Sequence, residues 1–295
     1  MDKITNRQIL LPDGSYMPKL GQGTWKMGEN DEKAAREIAG LRHGIEIGMN
    51  MLNSAEMYGD GKAENIAGEA IRGFKREELY LITKVYPQNA NRKHIYSSLQ
   101  KSLKLLGTDY LDMYLLHWRG DCDLSEMVWC MEDLKDKGLI RRWGVSNFDT
   151  DDMEDLFRVP DGHNCCVDQV LYNLASRGIE YDLMPWLKER GIPVMAYSPV
   201  GRAGDLMTEN GVDKRFLQTD PNVLAVAARK GISVIQLLLA FTMRREDVIA
   251  IPKAVSFNHV EENAAVYDIE ITPDEMAQLE ESFPAPTKKI PIEKY

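Results

Sequence analysis

Apolar residues in this chain follow two alternating patterns. In one they recur every three or four positions. Ala34, Ile38, Leu41 and Ile45 do so after Asp31, and Ile95, Leu99, Leu103 and Leu106 do so further on, each set forming one stripe of a helix. In the other they form short runs of strand length: KLGQGTW, MLNSAEMY, LYLITKV, LDMYLLHW, IRRWGVSN, VDQVLYNL, PVMAYSPV and VIAIPK. Further helices are predicted near Lys62 to Arg72, Leu124 to Lys137, in DTDDMEDLF, and near Leu183 to Arg190, Asn222 to Lys230, Val234 to Arg245 and Asn258 to Tyr267. A last helix opens on Thr272, Pro273 and Glu275, a capping box with proline at the first helical position. Ahead of all of these, ILLPDGSYMP reads as a hairpin turning at Asp13-Gly14.

Strands that alternate with helices imply a parallel sheet. Eight such units in 295 residues favour an α/β fold closed as a (β/α)8 TIM barrel, with the hairpin across its bottom and extra helices at the C-terminus. An open Rossmann sheet is the competing arrangement. It is weakened because GQGTW lacks the third glycine of the dinucleotide fingerprint and opens no helix. No linker, low-complexity tract or internal repeat interrupts the pattern, so residues 1–295 read as a single domain.

Composition narrows the class further. The 44% hydrophobic and 28% charged content is that of an ordinary globular protein. A formal net charge of -10 argues against nucleic acid and against an anionic membrane surface as partners. Cys122, Cys130, Cys165 and Cys166 form no CxxC pair and no disulfide framework, as expected of reduced thiols. The opening MDKITNRQILL carries no apolar stretch of signal-peptide length, and no run of 18 apolar residues occurs, so a cytoplasmic location is expected.

The chemistry sits at the ends of the strand-like runs. Tyr58, Lys84 and His117 close the second, third and fourth of them. In a barrel of parallel strands those ends share one mouth, where active sites lie. Singly, each has a structural explanation: a packing tyrosine, a solvated lysine, a core histidine. Together on consecutive strands they make a group able to give a proton to a carbonyl oxygen. Beyond them stand Ser146 and Asn147, Gln169, Tyr197 before Ser198, and Lys253, whose amides, hydroxyls and aromatic face suit a carboxamide and a flat ring. The loops after strands seven and eight are where such barrels often hold phosphate.

GQGTW, LNSAEMYGDGKAE, ITKV, LLHW, GVSNF, QVLYN, AYSPVG and IPKAVSFNHVEEN stand in this order along the chain. On these motifs, from the hairpin to the last helix, the sequence resembles the aldo-keto reductases, and most of all the small prokaryotic reductases of methylglyoxal and similar aldehydes. The resemblance implies reduction of a small carbonyl substrate by hydride from a nicotinamide, with Tyr58 as general acid. A phenol titrates near pH 10, and positive charge from Lys84 would assist it. His117 would orient the substrate oxygen, and Trp25 and Trp118 would wall the pocket. Ser146, Asn147 and Gln169 match the family's carboxamide contacts, and Tyr197 the ring stacked on the nicotinamide. Ser198, Val200 and Gly201 match the pyrophosphate loop, with Thr24 nearby. Lys253 matches the residue at the adenosine 2′-phosphate, and Glu262 and Asn263 the adenine contacts. The short tail PAPTKKIPIEKY suggests an open pocket, and the resemblance implies a monomer or weak homo-oligomer.

Two positions depart from the family. Asn53 stands where the family has an aspartate paired with the lysine. Without that charge an unpaired buried lysine tends to give up its proton, so the expectation is an enzyme slowed by roughly 10- to 1000-fold that still binds cofactor. His259 replaces the arginine usual in NADP-dependent members, and histidine cannot make a two-pronged phosphate contact. NADPH is therefore expected to be preferred over NADH, but by less than in arginine-bearing relatives. Asn53 also leaves open a protein that holds the cofactor and barely turns over. A metal-dependent hydrolase is disfavoured, because His43, His94, His117, His163 and His259 show no ligand spacing.

Overall fold

The computed structural model describes residues 7–201 and 217–293. Residues 1–6, part of the stretch expected to carry no leader, lie outside them. Eight parallel strands form the centre: β3 (Gln22–Gly23), β4 (Met51–Asn53), β5 (Tyr80–Val85), β6 (Met113–Leu116), β7 (Trp143–Ser146), β8 (Asp168–Leu171), β9 (Val194–Tyr197) and β10 (Val248–Ala250). Their spatial order is their chain order, β3 to β10. The ring closes between its first and last members: Gly21 N donates to Ala250 O at 2.9 Å, Ala250 N to Lys19 O at 3.0 Å, and Gly23 N to Pro252 O at 3.0 Å. Gly23 explains part of GQGTW, since a Cβ there would stand 2.8 Å from the Ile251 carbonyl oxygen. This is the expected (β/α)8 barrel; the glycines serve closure of the ring and not a Rossmann turn.

Helices cover the outside, beginning with α1 (Asp31–Glu46), α2 (Lys62–Ile71), α3 (Ile95–Leu106), α4 (Leu124–Asp136), α5 (Thr150–Arg158) and α6 (Leu183–Glu189). Then come α7 (Pro221–Lys230) and α8 (Val234–Met243) before β10, and α9 (Phe257–Ala264) and α10 (Pro273–Ser282) after it. The α1 stripe read from sequence is the buried one, with Leu41 and Ile45 in the core and Ala34 and Ile38 packed against it. Thr272 and Glu275 form the predicted capping box of α10. Among the described residues no single helix is long and apolar enough to cross a membrane.

Successive strand residues face opposite sides of a sheet, so each strand feeds two apolar clusters. Leu52, Leu81, Val85, Tyr114, Leu116 and Val145 join the layer under the helices. Met51, Ile82, Leu115, Val167, Met195 and Ile249 fill the barrel interior. The hairpin of β1 (Gln8–Leu10) and β2 (Tyr16–Pro18) adds Ile9, Leu11 and Met17 to that interior cluster, beside Met51, Tyr80 and Met113 at the strands' N-terminal ends. The bottom is thereby sealed, and the cleft lies at the other end.

The strands are shorter than the apolar runs that predicted them. MLNSAEMY pairs as strand only over Met51–Asn53. Tyr58, expected at a strand end, instead opens a 3-10 turn, Tyr58–Gly61, in the following loop.

Candidate active site

The inward register of the strands decides which polar groups meet. Continuing each interior row by two residues toward the strand's C-terminal end takes Met51 to Asn53, Ile82 to Lys84, Leu115 to His117, Val167 to Gln169 and Met195 to Tyr197. The same alternation places Thr83 outward, where it donates to the buried Glu64 at 2.6 Å.

Tyr58 reaches this ring through a fixed loop. Ser54 N and Glu56 N continue the pairing with β5, donating to Ile82 O and Lys84 O at 2.8 and 3.2 Å. The Glu56 carboxylate accepts from Tyr86 N at 2.6 Å and Asn89 Nδ2 at 3.1 Å. Gly59, Asp60 and Gly61 then take φ of 59°, 55° and 88°, a left-handed run that the two glycines make tolerable. The chain reverses there.

Lys84 is fully buried. Its Nζ donates to Asn53 Oδ1 at 2.8 Å, Ser54 O at 2.6 Å and Tyr58 OH at 3.2 Å. Burial pulls the ammonium down to about 7, and the buried Glu64 only partly opposes this. None of the three oxygens beside Nζ belongs to a carboxylate, so burial prevails. Burial likewise pushes His117 down to about 2, with the Lys84 charge acting in the same sense. Its imidazole is therefore neutral, and its Nδ1 has no hydrogen-bond partner. The Tyr58 ring lies edge-on to His117, 5.7 Å between centroids, and edge-on to Trp25 at 4.7 Å.

The remaining rim is tied by amides. Ser146 Oγ donates to Gln169 O at 2.7 Å, and Asn147 Nδ2 to His117 O at 3.0 Å. Tyr197 OH donates to Asn147 Oδ1 at 2.9 Å. Asn147 and Ser198 hold positive φ of 59° and 48°, strained for non-glycine residues, and Asn173 Nδ2 clasps the Ser198 carbonyl at 3.0 Å. Thr24 is buried and donates to Ser54 Oγ at 2.9 Å.

These groups surround a cleft of about 460 Å3, a size suited to a small-molecule ligand. Of the residues singled out from sequence, Asn53, Tyr58, His117, Thr24 and Trp25 line it. Ser146, Asn147, Gln169, Tyr197, Ser198, Val200, Gly201 and Lys253 line it as well. Lys84 sits behind Tyr58 and Asn53. Trp118 is one shell away, its ring 5.0 Å from His117 and 5.6 Å from Tyr86. His259, Glu262 and Asn263 lie on α9 outside the cleft lining. His259 is exposed, whereas Asn263 is buried with an unpartnered Oδ1.

Met57 and Gln218 line the cleft without having been foreseen. The tail's contact with the cleft wall was not foreseen either. Lys289 Nζ bridges Asp149, Asp151 and Asp182 at 3.1, 3.4 and 3.3 Å, and Glu293 O comes within 3.5 Å of the Tyr197 hydroxyl, whose proton goes to the nearer Asn147 Oδ1. The tail is short but runs to the cleft wall. Only the acidic run DTDDMED and the Lys288-Lys289 pair could have hinted at this.

Comparison with known proteins agrees with the geometry. The model of the aldo/keto reductase family matches residues 19–283. Methylglyoxal reductase YeaE of Escherichia coli (strain K12) is 46% identical over 290 residues, 98% of this chain and 99% of that protein. Crystal structures of an aldo/keto reductase from Klebsiella pneumoniae, one in complex with NADP and acetate and one with NADPH, each superpose with a TM-score of 0.92. Both share 46% identity with this chain, and the matches cover 98% of it and 99% of theirs. The chain belongs to the aldo/keto reductase family and is an NAD(P)H-dependent oxidoreductase.

Proposed function

We propose that this protein, acting as one domain over residues 1–295, reduces small aldehydes and ketones, including dicarbonyls of the methylglyoxal kind, with NADPH as donor. The observation that carries the reading is the contact of Lys84 Nζ with Tyr58 OH at 3.2 Å, in a cleft that His117 and Trp25 also line. The residues fit a nicotinamide dinucleotide. Ser146, Asn147 and Gln169 present amide and hydroxyl groups beside the Tyr197 ring, and the unpartnered, buried Asn263 Oδ1 suits an amino group such as adenine carries. When bound, the nicotinamide supplies the hydride. Tyr58 gives its proton to the carbonyl oxygen as negative charge develops there, and the Lys84 ammonium stabilises the resulting phenolate. His117, neutral because buried, donates one hydrogen bond that orients that oxygen. Trp25 and the Tyr58 ring exclude water on one side. Lys253 would hold the 2′-phosphate, with His259 a weaker partner than arginine.

Asn53 sets the pace. Its carbonyl oxygen accepts from Lys84 but holds no charge against it, so part of the Lys84 population is neutral near pH 7. This supports a slowed reductase, and in its extreme form the second reading, a cofactor-holding protein with little turnover. The acidic composition and unpaired thiols support a cytoplasmic location, as a monomer or weak homo-oligomer.

The test is NADPH oxidation with methylglyoxal and short aldehydes by the parent and Tyr58→Phe, beside NADPH binding by fluorescence. Turnover in the parent, lost at least 100-fold in the variant with binding kept, is expected for a lost general acid. Equal turnover in the two proteins refutes the role of Tyr58. Tight binding without turnover, even in Asn53→Asp, selects the second reading.

A further inference from the structure

The Asn53 amide has two ends, and the structure shows a partner for each. Its carbonyl oxygen faces Lys84, and its NH2 points across the barrel to the thioether of Met195, Nδ2 to Sδ 3.4 Å. The same sulfur accepts from Gln169 Nε2 at 2.8 Å. Asn53, Gln169 and Met195 are each 1% exposed or less, so neither amide can turn to bulk water instead. Met195 is on β9 and Asn53 on β4, on different sides of the ring. Its neighbours in register, Gln169 and Ile249, hold the side chain in the interior layer.

We propose that Met195 is a positioning residue matched to Asn53: its sulfur accepts from the Asn53 and Gln169 amides, holding the Asn53 carbonyl oxygen against Lys84 and the Gln169 side chain at the cleft. The chemistry is specific to an amide. A buried NH2 with no acceptor is costly, so losing the sulfur drives Asn53 to rotate in search of another partner, taking Oδ1 from Lys84. A carboxylate at the same place has no donor to satisfy. Its second oxygen would instead face sulfur lone pairs, a poor match. Met195 and Asn53 therefore form a pair in which changing one alters what the other must be.

This inference deepens the reductase reading above and rests on it. It is tested with four proteins: the parent, Met195→Leu, Asn53→Asp and the double variant. Leucine conserves volume, so the fold is expected to tolerate it. In the parent background Met195→Leu is expected to lower kcat about three- to tenfold, the worth of one buried hydrogen bond. In the Asn53→Asp background the loss is expected to shrink below about twofold, because no amide donor is left unsatisfied there. The NADPH dissociation constant is expected to rise equally in both backgrounds, since Gln169 loses its acceptor in each. Equal kcat losses in the two backgrounds overturn the proposal, for a general packing defect behaves that way. A second arm needs no turnover: in protein labelled with 13C-methyl methionine, the resonance that Met195→Leu removes should move on Asn53→Asp. If it stays in place, the pairing is wrong. If no variant turns over yet that resonance moves, the reductase reading fails while the pairing stands.

Discussion

Restoring a carboxylate beside Lys84 should raise the rate by an amount that depends on pH. In the parent the ammonium is held at about 7 by burial, with a neutral carbonyl oxygen 2.8 Å away. Placing a carboxylate oxygen there gains about 6 kcal/mol of Coulomb energy at an effective dielectric near 20. Desolvating that carboxylate returns several kcal/mol, leaving a net of about 2 kcal/mol. That net is worth about 1.5 pKa units, which moves Lys84 to about 8.5 in Asn53→Asp. A group titrating at about 7 is about 9% charged at pH 8, whereas one at 8.5 is about 76% charged, so protonation alone predicts a gain of about eightfold there. The same arithmetic gives about twofold at pH 7 and almost none at pH 6. Tighter Lys84 geometry adds a factor that does not vary with pH. The assay is kcat for an aldehyde substrate from pH 6 to 9 for both proteins. The parent's rate should fall as pH rises through about 7, and the variant's fall should begin more than one unit higher. A gain of constant size across that range, or no gain at all, refutes the role assigned to the missing charge.

Other outcomes follow from the same structure. The folded value of Lys84 lies below that of an unfolded lysine, near 10.4, so the unfolded chain binds more protons between about 7 and 10.4 and stability should rise with pH across that window. Lys84→Met should remove that slope, a difference of at most about 5 kcal/mol, checked by urea unfolding at pH 6.5 and 9.5. His259→Arg should raise the preference for NADPH over NADH about tenfold, as a two-pronged charged contact is gained, measured by paired binding titrations. Lys289→Ala should free the tail from Asp149, Asp151 and Asp182 and raise KM two- to fivefold by loosening Tyr197, with little change in Tm, because such exposed ion pairs are worth little singly. High salt should reproduce part of that effect in the parent.

Apolar patterning alone revealed the eight strands and the helices between them, because a helix that buries one face repeats its apolar residues at its own pitch and a strand buried on both faces shows a short apolar run. Placement at the ends of consecutive runs then led to Tyr58, Lys84 and His117, and motif order to Asn53 as the residue out of place. What tertiary structure alone decided are relations between distant residues. Met195 reads as one more core residue in PVMAYSPV, yet 142 positions separate it from the amide it faces. Tyr58 reads as a strand end, but the left-handed residues after it turn it back onto Lys84. The tail looks too short to matter until Lys289 meets three carboxylates brought together from α5's start and the loop before α6. Lys84 itself is a basic residue in the sequence, and only complete burial without a facing carboxylate makes its charge conditional on pH. Local spacing specifies which elements form, but contacts across the barrel and the solvent they exclude depend on how those elements close into a ring, which no window of sequence contains.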